Sequence, residues 1–219
     1  MKKAILISIR PKYVRKILLG EKTLEIRRTC PKIWKWFYTD GKPLREPEPI
    51  EVYIYCTKEN NALLHKNIAD IWWVEDKDFR AKNRRLGIEQ QPSYNGKVVA
   101  KFTLNKVEKI SLPYTKFGKL EWVGCEEERT LQTISLDEKD LLKLSCLTES
   151  EIYKYLNFNK KPCGYAWHID NLEIFDKPKE LSEFKIKHYP QFAGMVKNES
   201  HYELVPLVKS PQSWCYIEI

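Results

Sequence analysis

Apolar and polar positions change period several times along the 219 residues, and most stretches alternate in the manner of strands. Ala4-Ile5-Leu6-Ile7-Ser8-Ile9 is a short apolar run that predicts a buried strand. Pro11 then sits where a first helical turn tolerates proline. Tyr13, Val14, Ile17 and Leu18 recur at helical spacing, and Gly20 stands where a C-terminal glycine belongs, so 11–19 reads as an amphipathic helix. Residues 22–28 read as a second strand. Its alternation assigns Leu24 and Ile26 to the core, and Thr23, Glu25 and Arg27 to a face turned outward or into a cleft. Cys30-Pro31 ends it, because proline cannot donate to a ladder.

Beyond this point come a loop over 31–50, rich in proline and aromatics, and a third strand over 51–56. A polar segment at 58–95 has helical hints around 66–85 and reads as an insertion. Gly96 opens a long strand, 97–110, in which Val98, Ala100, Phe102 and Leu104 alternate with Val99, Lys101 and Thr103. Residues 111–147 are poorly periodic and read as a second insertion. Thr148 and Glu151 make a capping box ahead of Ile152, Tyr153 and Leu156, predicting a helix over 149–156. A strand follows at 163–175, then a turn or helical turn at 178–184, irregular chain at 185–210 and a last strand at 214–219. No repeat, low-complexity tract or linker interrupts the pattern. The expectation is therefore one domain over 1–219, of α+β class and mainly β, a small barrel with peripheral helices and insertions at about 58–95 and 111–147.

Composition adds three things. Hydrophobic residues make up 42% and aromatics 12%, enough for a packed core. The net charge of +8, with a pI near 9.0, favours polyanionic partners, nucleic acid first; a Lys-rich surface that only aids solubility is the plainer reading. The six cysteines form no C-x-x-C pair and no zinc spacing, so they read as small core hydrophobes in a reduced, cytoplasmic protein with no metal and no cofactor. No stretch approaches the length of a membrane span.

Ser8-Ile9-Arg10-Pro11-Lys12-Tyr13, followed by Gly20-Glu21-Lys22-Thr23-Leu24-Glu25-Ile26-Arg27, resembles the opening of the ASCH (activating signal cointegrator homology) family, whose pattern is roughly strand, helix, G-x-K-x-x-E-x-R. Tyr165-Ala166-Trp167-His168-Ile169 with Lys177-Pro178-Lys179-Glu180-Leu181 resembles a second family block, and Pro211-Gln212-Ser213-Trp214 the closing one. The resemblance implies a PUA-like β-barrel, with the motif's lysine, glutamate and arginine lining an RNA-related cleft. It also implies activities seen or proposed in relatives: removal of an acyl group from modified cytidine, and ribonuclease action.

On that basis Lys22, Glu25 and Arg27 are the main candidates, joined by Arg10, His168, Gln212, Ser213 and Trp214. Arginine offers a planar fork to phosphate and lysine a point charge. Glu25 orients those cations or accepts from a base amino group, and Trp34, Trp36 and Tyr38 are placed to stack on bases. The plain alternative is an exposed Glu25–Arg27 pair beside a solvated Lys22, worth little. The acyl-removing relatives pair the motif lysine with a threonine two residues before the arginine; that position is Glu25 here, so the hydroxyl nucleophile is missing. His168 and Asp170 share a strand face, as a base with its orienter, or as a histidine satisfied inside the fold. Lys82, Arg84 and Arg85 either extend a phosphate-binding surface or form a solvated helix face. The leading expectation is an RNA- or nucleotide-binding protein. The alternative is a hydrolase, a ribonuclease or an amidohydrolase on modified nucleosides, using Lys22 and Glu25. A third reading has the insertions contacting a protein partner.

Overall fold

The computed structural model describes residues 2–31, 38–39, 42–43, 48–58, 63–66, 71–74, 94–111, 138–156, 163–189 and 202–219. The expected stacking residues Trp34 and Trp36, and the Lys82, Arg84 and Arg85 cluster, lie outside them. The fold is mainly β with helices. No closure of the strands into a barrel is detected among the described residues; they form separate open sheets. The chain divides into two compact units, Met1–Leu19, Ile50–Phe102 and Leu172–Ile219 making the first, Gly20–Pro49 and Thr103–Asn171 the second.

In the first unit β1 (Lys3–Ile9) lies at the centre. It runs parallel to β5 (Ile50–Cys56) and antiparallel to β14 (Trp214–Glu218). The parallel pair is buried on both faces, which is why its sequence is a continuous apolar run rather than an alternation. β8 (Val98–Leu104), β11 (Asp170–Lys179), β12 (Lys185–His188) and β13 (Glu203–Pro206) complete a sheet of order β11-β8-β5-β1-β14-β12-β13. One face packs Ala4, Leu6, Tyr53, Tyr55, Phe175, Phe184 and Ile217 into a core. The helix α1 (Pro11–Leu18) packs against β5. It ends as expected, with Gly20 in the left-handed region at φ +74° just beyond the last turn. A hairpin, β6 (Leu63–Lys66) with β7 (Ile71–Val74), belongs to the same unit.

The second unit is built on a three-stranded sheet, β2 (Leu24–Arg27), β10 (Cys163–His168) and β9 (Val107–Ser111), with β10 in the middle. A short hairpin, β3 (Tyr38–Thr39) with β4 (Lys42–Pro43), also lies here. Two helices, α2 (Glu138–Ser145) and α3 (Glu149–Leu156), supply Leu141, Ile152 and Leu156, which pack with Leu24, Ile26, Ile110 and Ala166. The predicted capping box closes α3. Glu151 accepts from the Thr148 amide at 2.9 Å, and the Thr148 hydroxyl accepts from the Glu151 amide at 3.2 Å.

Several expectations need correction. The long strand over 97–110 is two strands in different sheets, broken at Asn105 and Lys106. The break falls at exposed Asn105 and half-buried Lys106, where the chain passes from one sheet to the other; Glu108 and Ile110 keep the even buried phase of Phe102 and Leu104, and Val107 is buried beside them. The strand over 163–175 is likewise two, separated at Ile169, and the second continues through Pro178. A proline is tolerated there because β11 is an edge strand of its sheet. Residues 181–183 form the expected helical turn. The span read as irregular holds β12 and β13, too short for their alternation to stand out, and α2 forms within the poorly periodic 111–147 segment.

Candidate functional site

The motif residues lie at the start of the second unit, and their burial differs from the expectation. All four residues of β2 are buried. Lys22, Glu25 and Arg27 are 2%, 7% and 5% exposed, so the exposed ion pair and solvated lysine are both excluded. Glu25 sits between two cations: Arg27 Nη2 donates to Oε1 at 2.8 Å, and Lys22 Nζ lies 3.3 Å from Oε2. Lys22 Nζ also donates to the carbonyls of Leu24 at 2.6 Å and Ser145 at 2.7 Å. Burial holds the Lys22 amine below the ordinary range, and the Glu25 carboxylate works against that shift. Thr23 bridges the same region through its backbone, donating to Leu144 O and accepting from Ile169 N, each at 3.0 Å.

Strand register decides which side chains share a face. Trp167 stands opposite Glu25 and Val107, and Tyr165 opposite Arg27 and Lys109. Residues directly opposite point the same way. Glu25, Trp167 and Val107 therefore form one cross-strand row, and Arg27, Tyr165 and Lys109 the next row on the same face. The first row is fully covered, with Trp167 at 0% exposure. In the second, Tyr165 and Lys109 are half-buried. The opposite face carries the Leu24, Ile26 and Ala166 core, and at its margin His168 and Glu108.

His168 Nε2 lies 2.7 Å from Glu108 Oε1, and Lys106 Nζ is 2.7 Å from the same oxygen. Burial alone would raise the Glu108 carboxyl, but the hydrogen bonds from His168 and Lys106 outweigh it and hold the group below its ordinary range. Lys106 Nζ and His168 Nε2 thus converge on one oxygen of the Glu108 carboxyl. The carboxylate partner of His168 is Glu108; Asp170 accepts instead from Asn105 at 3.4 Å.

The remaining sequence candidates fall in the first unit. Arg10 is exposed at the start of α1, where its carbonyl accepts from the Tyr13 and Val14 amides at 2.9 and 3.0 Å. The Ser213 carbonyl accepts from the Ser8 amide at 2.9 Å, Trp214 pairs with Ile7, and Gln212 is exposed. Sequence reading missed Glu108, Lys109, Tyr165 and Lys106 as site residues. Glu108 was legible: it continues the even phase of Phe102 and Leu104, which puts a carboxylate on an inward-facing position. Lys109 and Tyr165 carried no such signal, because cross-strand partners are set by register. Among the described residues, no three His, Cys, Asp or Glu side chains group to hold a metal ion. No described helix is long and apolar enough to cross a membrane.

No family model and no curated protein matches the chain. Solved structures do. The ASCH protein of Zymomonas mobilis aligns at 14% identity with a TM-score of 0.43, over 98% of this chain and 87% of that one. A serine-to-alanine variant of it aligns at 13% identity and 0.44, over 98% and 88%. A tyrosine-to-phenylalanine variant aligns at 14% and 0.37, over 82% and 77%.

Proposed function

We propose that the chain binds RNA or a nucleotide on the sheet face that carries Arg27, Tyr165 and Lys109. The observation that supports this most is the cross-strand row itself, in which half-buried Tyr165 and Lys109 stand beside the buried Arg27 on one face. Cations take phosphate and the ring takes a base, the combination that single-stranded nucleic acid needs. Glu25 holds the Arg27 guanidinium at 2.8 Å and so fixes the direction of its fork. The net charge of +8 adds long-range attraction for a polyanion. The test is RNA affinity as a function of salt. Lys109→Ala is expected to reduce the salt slope by about one, and Tyr165→Ala to weaken binding by about 1–3 kcal/mol. Unchanged affinity in both folded variants sinks the reading.

A hydrolase using Lys22 and Glu25 is the second reading, favoured by the lowered basicity of the buried Lys22 amine. Against it, Lys22 Nζ already donates to two carbonyls and pairs with Glu25. Turnover of a short RNA or an acylated cytidine by the purified protein, lost in Glu25→Gln, would establish it. Equal rates in the two proteins would end it.

A further inference from the structure

The first unit carries a second surface of the same chemical kind, on a different sheet. The face of β1 that presents Ile5 and Ile7 changes character as the sheet passes to β14, β12 and β13. On β1 and β5 this face is apolar and fully covered, with Ile5, Ile7 and Ile54 at 0% exposure. On β14 the same face presents Trp214, Tyr216 and Glu218, opposite Ile7, Ile5 and Lys3. On β12, Lys185 stands opposite Glu218, and Lys187 follows two residues on. Tyr189 and Tyr202, where β12 ends and β13 begins, are 40% and 38% exposed.

The side chains interleave. Lys3 Nζ lies 3.9 Å from the centre of the Tyr216 ring, and Lys187 Nζ 4.2 Å from that of Tyr202. Trp214 meets Tyr216 edge-on at 5.5 Å, and Tyr189 meets Tyr202 at 6.2 Å with the planes tilted by 59°. Glu218, 3.4 Å from Lys187, is the carboxylate set among Lys3, Lys185 and Lys187, so the patch keeps a positive balance. The core of the unit lies on the opposite side of the sheet, through Ala4, Leu6 and Ile217. Packing of that core does not account for half-exposed aromatics on this face.

We propose that this β14–β12–β13 face binds single-stranded nucleic acid, with bases stacking on Tyr189, Tyr202 and Tyr216, and phosphates taken by Lys3 and Lys187. Charge chooses a polyanion, and exposed ring faces choose bases that are not already stacked in a duplex. The present lysine–ring contacts are compatible with such a ligand. An exposed cation–π contact is worth about 0.5–1 kcal/mol, and a base stacked on an aromatic side chain about 1–3 kcal/mol. A base therefore displaces the ammonium from the ring, and the ammonium is released to a phosphate. The surface is independent of the Arg27–Tyr165–Lys109 row and does not rest on it.

The experiment measures binding of the full chain to a labelled short single-stranded RNA, to the same RNA as a duplex, and to phosphatidylserine vesicles. In Tyr189→Ala/Tyr202→Ala, affinity for the single strand is expected to fall about tenfold or more, with little change for the duplex. Lys3→Ala/Lys187→Ala is expected to reduce the salt slope by about two. Both variants change exposed side chains, so thermal melts near that of the unmodified protein are expected. Single-strand affinity unchanged in both variants, or lost only in Lys109→Ala, overturns the proposal. Binding to vesicles but not to RNA overturns it in favour of a membrane surface.

Discussion

Lys22 Nζ lies 2.7 Å from the carbonyl oxygen of Ser145, a contact across 123 positions of sequence. It ties the start of β2 to the last turn of α2, and the same ammonium meets Glu25 at 3.3 Å. A helix C-terminus leaves carbonyls without intrahelical partners and carries partial negative charge. A buried cation placed there satisfies one of them while neutralising Glu25.

Lys22→Met is therefore expected to destabilise the protein. It leaves Glu25 buried with one fewer cation, a loss of about 3–5 kcal/mol for a broken buried pair. Urea unfolding measures it, and adding Glu25→Gln should recover part of the loss. A pH effect accompanies it. Burial sets the Lys22 amine below its ordinary 10.5, so just below that pH the unfolded chain binds more protons than the folded one. Stability in that window is expected to rise with pH, and Lys22→Met should remove that contribution.

Glu108→Gln tests the acid side. The folded state holds Glu108 below its ordinary 4.5 despite burial, through His168 and Lys106. The group contributes stability above the unfolded value, and that stability is lost as pH falls through the folded one. Thermal melts in mildly acidic buffer should therefore fall with pH more steeply in the unmodified protein than in Glu108→Gln. Parallel curves would show that His168 and Lys106 together do not hold the Glu108 carboxyl below its ordinary range.

Thr148→Ala removes the capping box at the start of α3. The hydroxyl that accepts from Glu151 N at 3.2 Å is lost, at a cost of about 1 kcal/mol. A fall in Tm of about 2–4 °C is expected for a chain of this size, and Thr148→Ser should restore most of it.

Gly164→Ala should be destabilising for want of space. A Cβ at this position would stand 2.5 and 2.6 Å from the two Cδ atoms of Leu156, which is 2% exposed on α3. Overpacking of this kind costs about 1–3 kcal/mol. Leu156→Ala opens a cavity that the new methyl partly fills, so the double variant should be more stable than the sum of the two single losses predicts. Strict additivity would show that β10 and α3 do not meet there.

By itself the sequence was enough to place the elements whose cause is local. Proline at the first turn and Gly20 at the end framed α1, Thr148 and Glu151 framed α3, and the apolar run at Ala4–Ile9 marked a strand buried on both faces. It also singled out Lys22, Glu25 and Arg27 as a group. Tertiary structure alone decided what those three meet. Alternation assigns Glu25 to the face opposite Leu24, but whether a position on that face is wet depends on what lies over it, and here the Glu25–Trp167–Val107 row is covered while Tyr165 and Lys109 are half-buried. Pairing of Tyr165 with Arg27 and Lys109 depends on strand register, which no local pattern encodes. The Ser145 carbonyl reaches Lys22 from a segment whose periodicity was too weak to read. The charges of the motif were thus evident from the chain. Their burial, their partners and the face they share come from contacts between residues far apart in it, because desolvation and hydrogen bonding are properties of the packed environment.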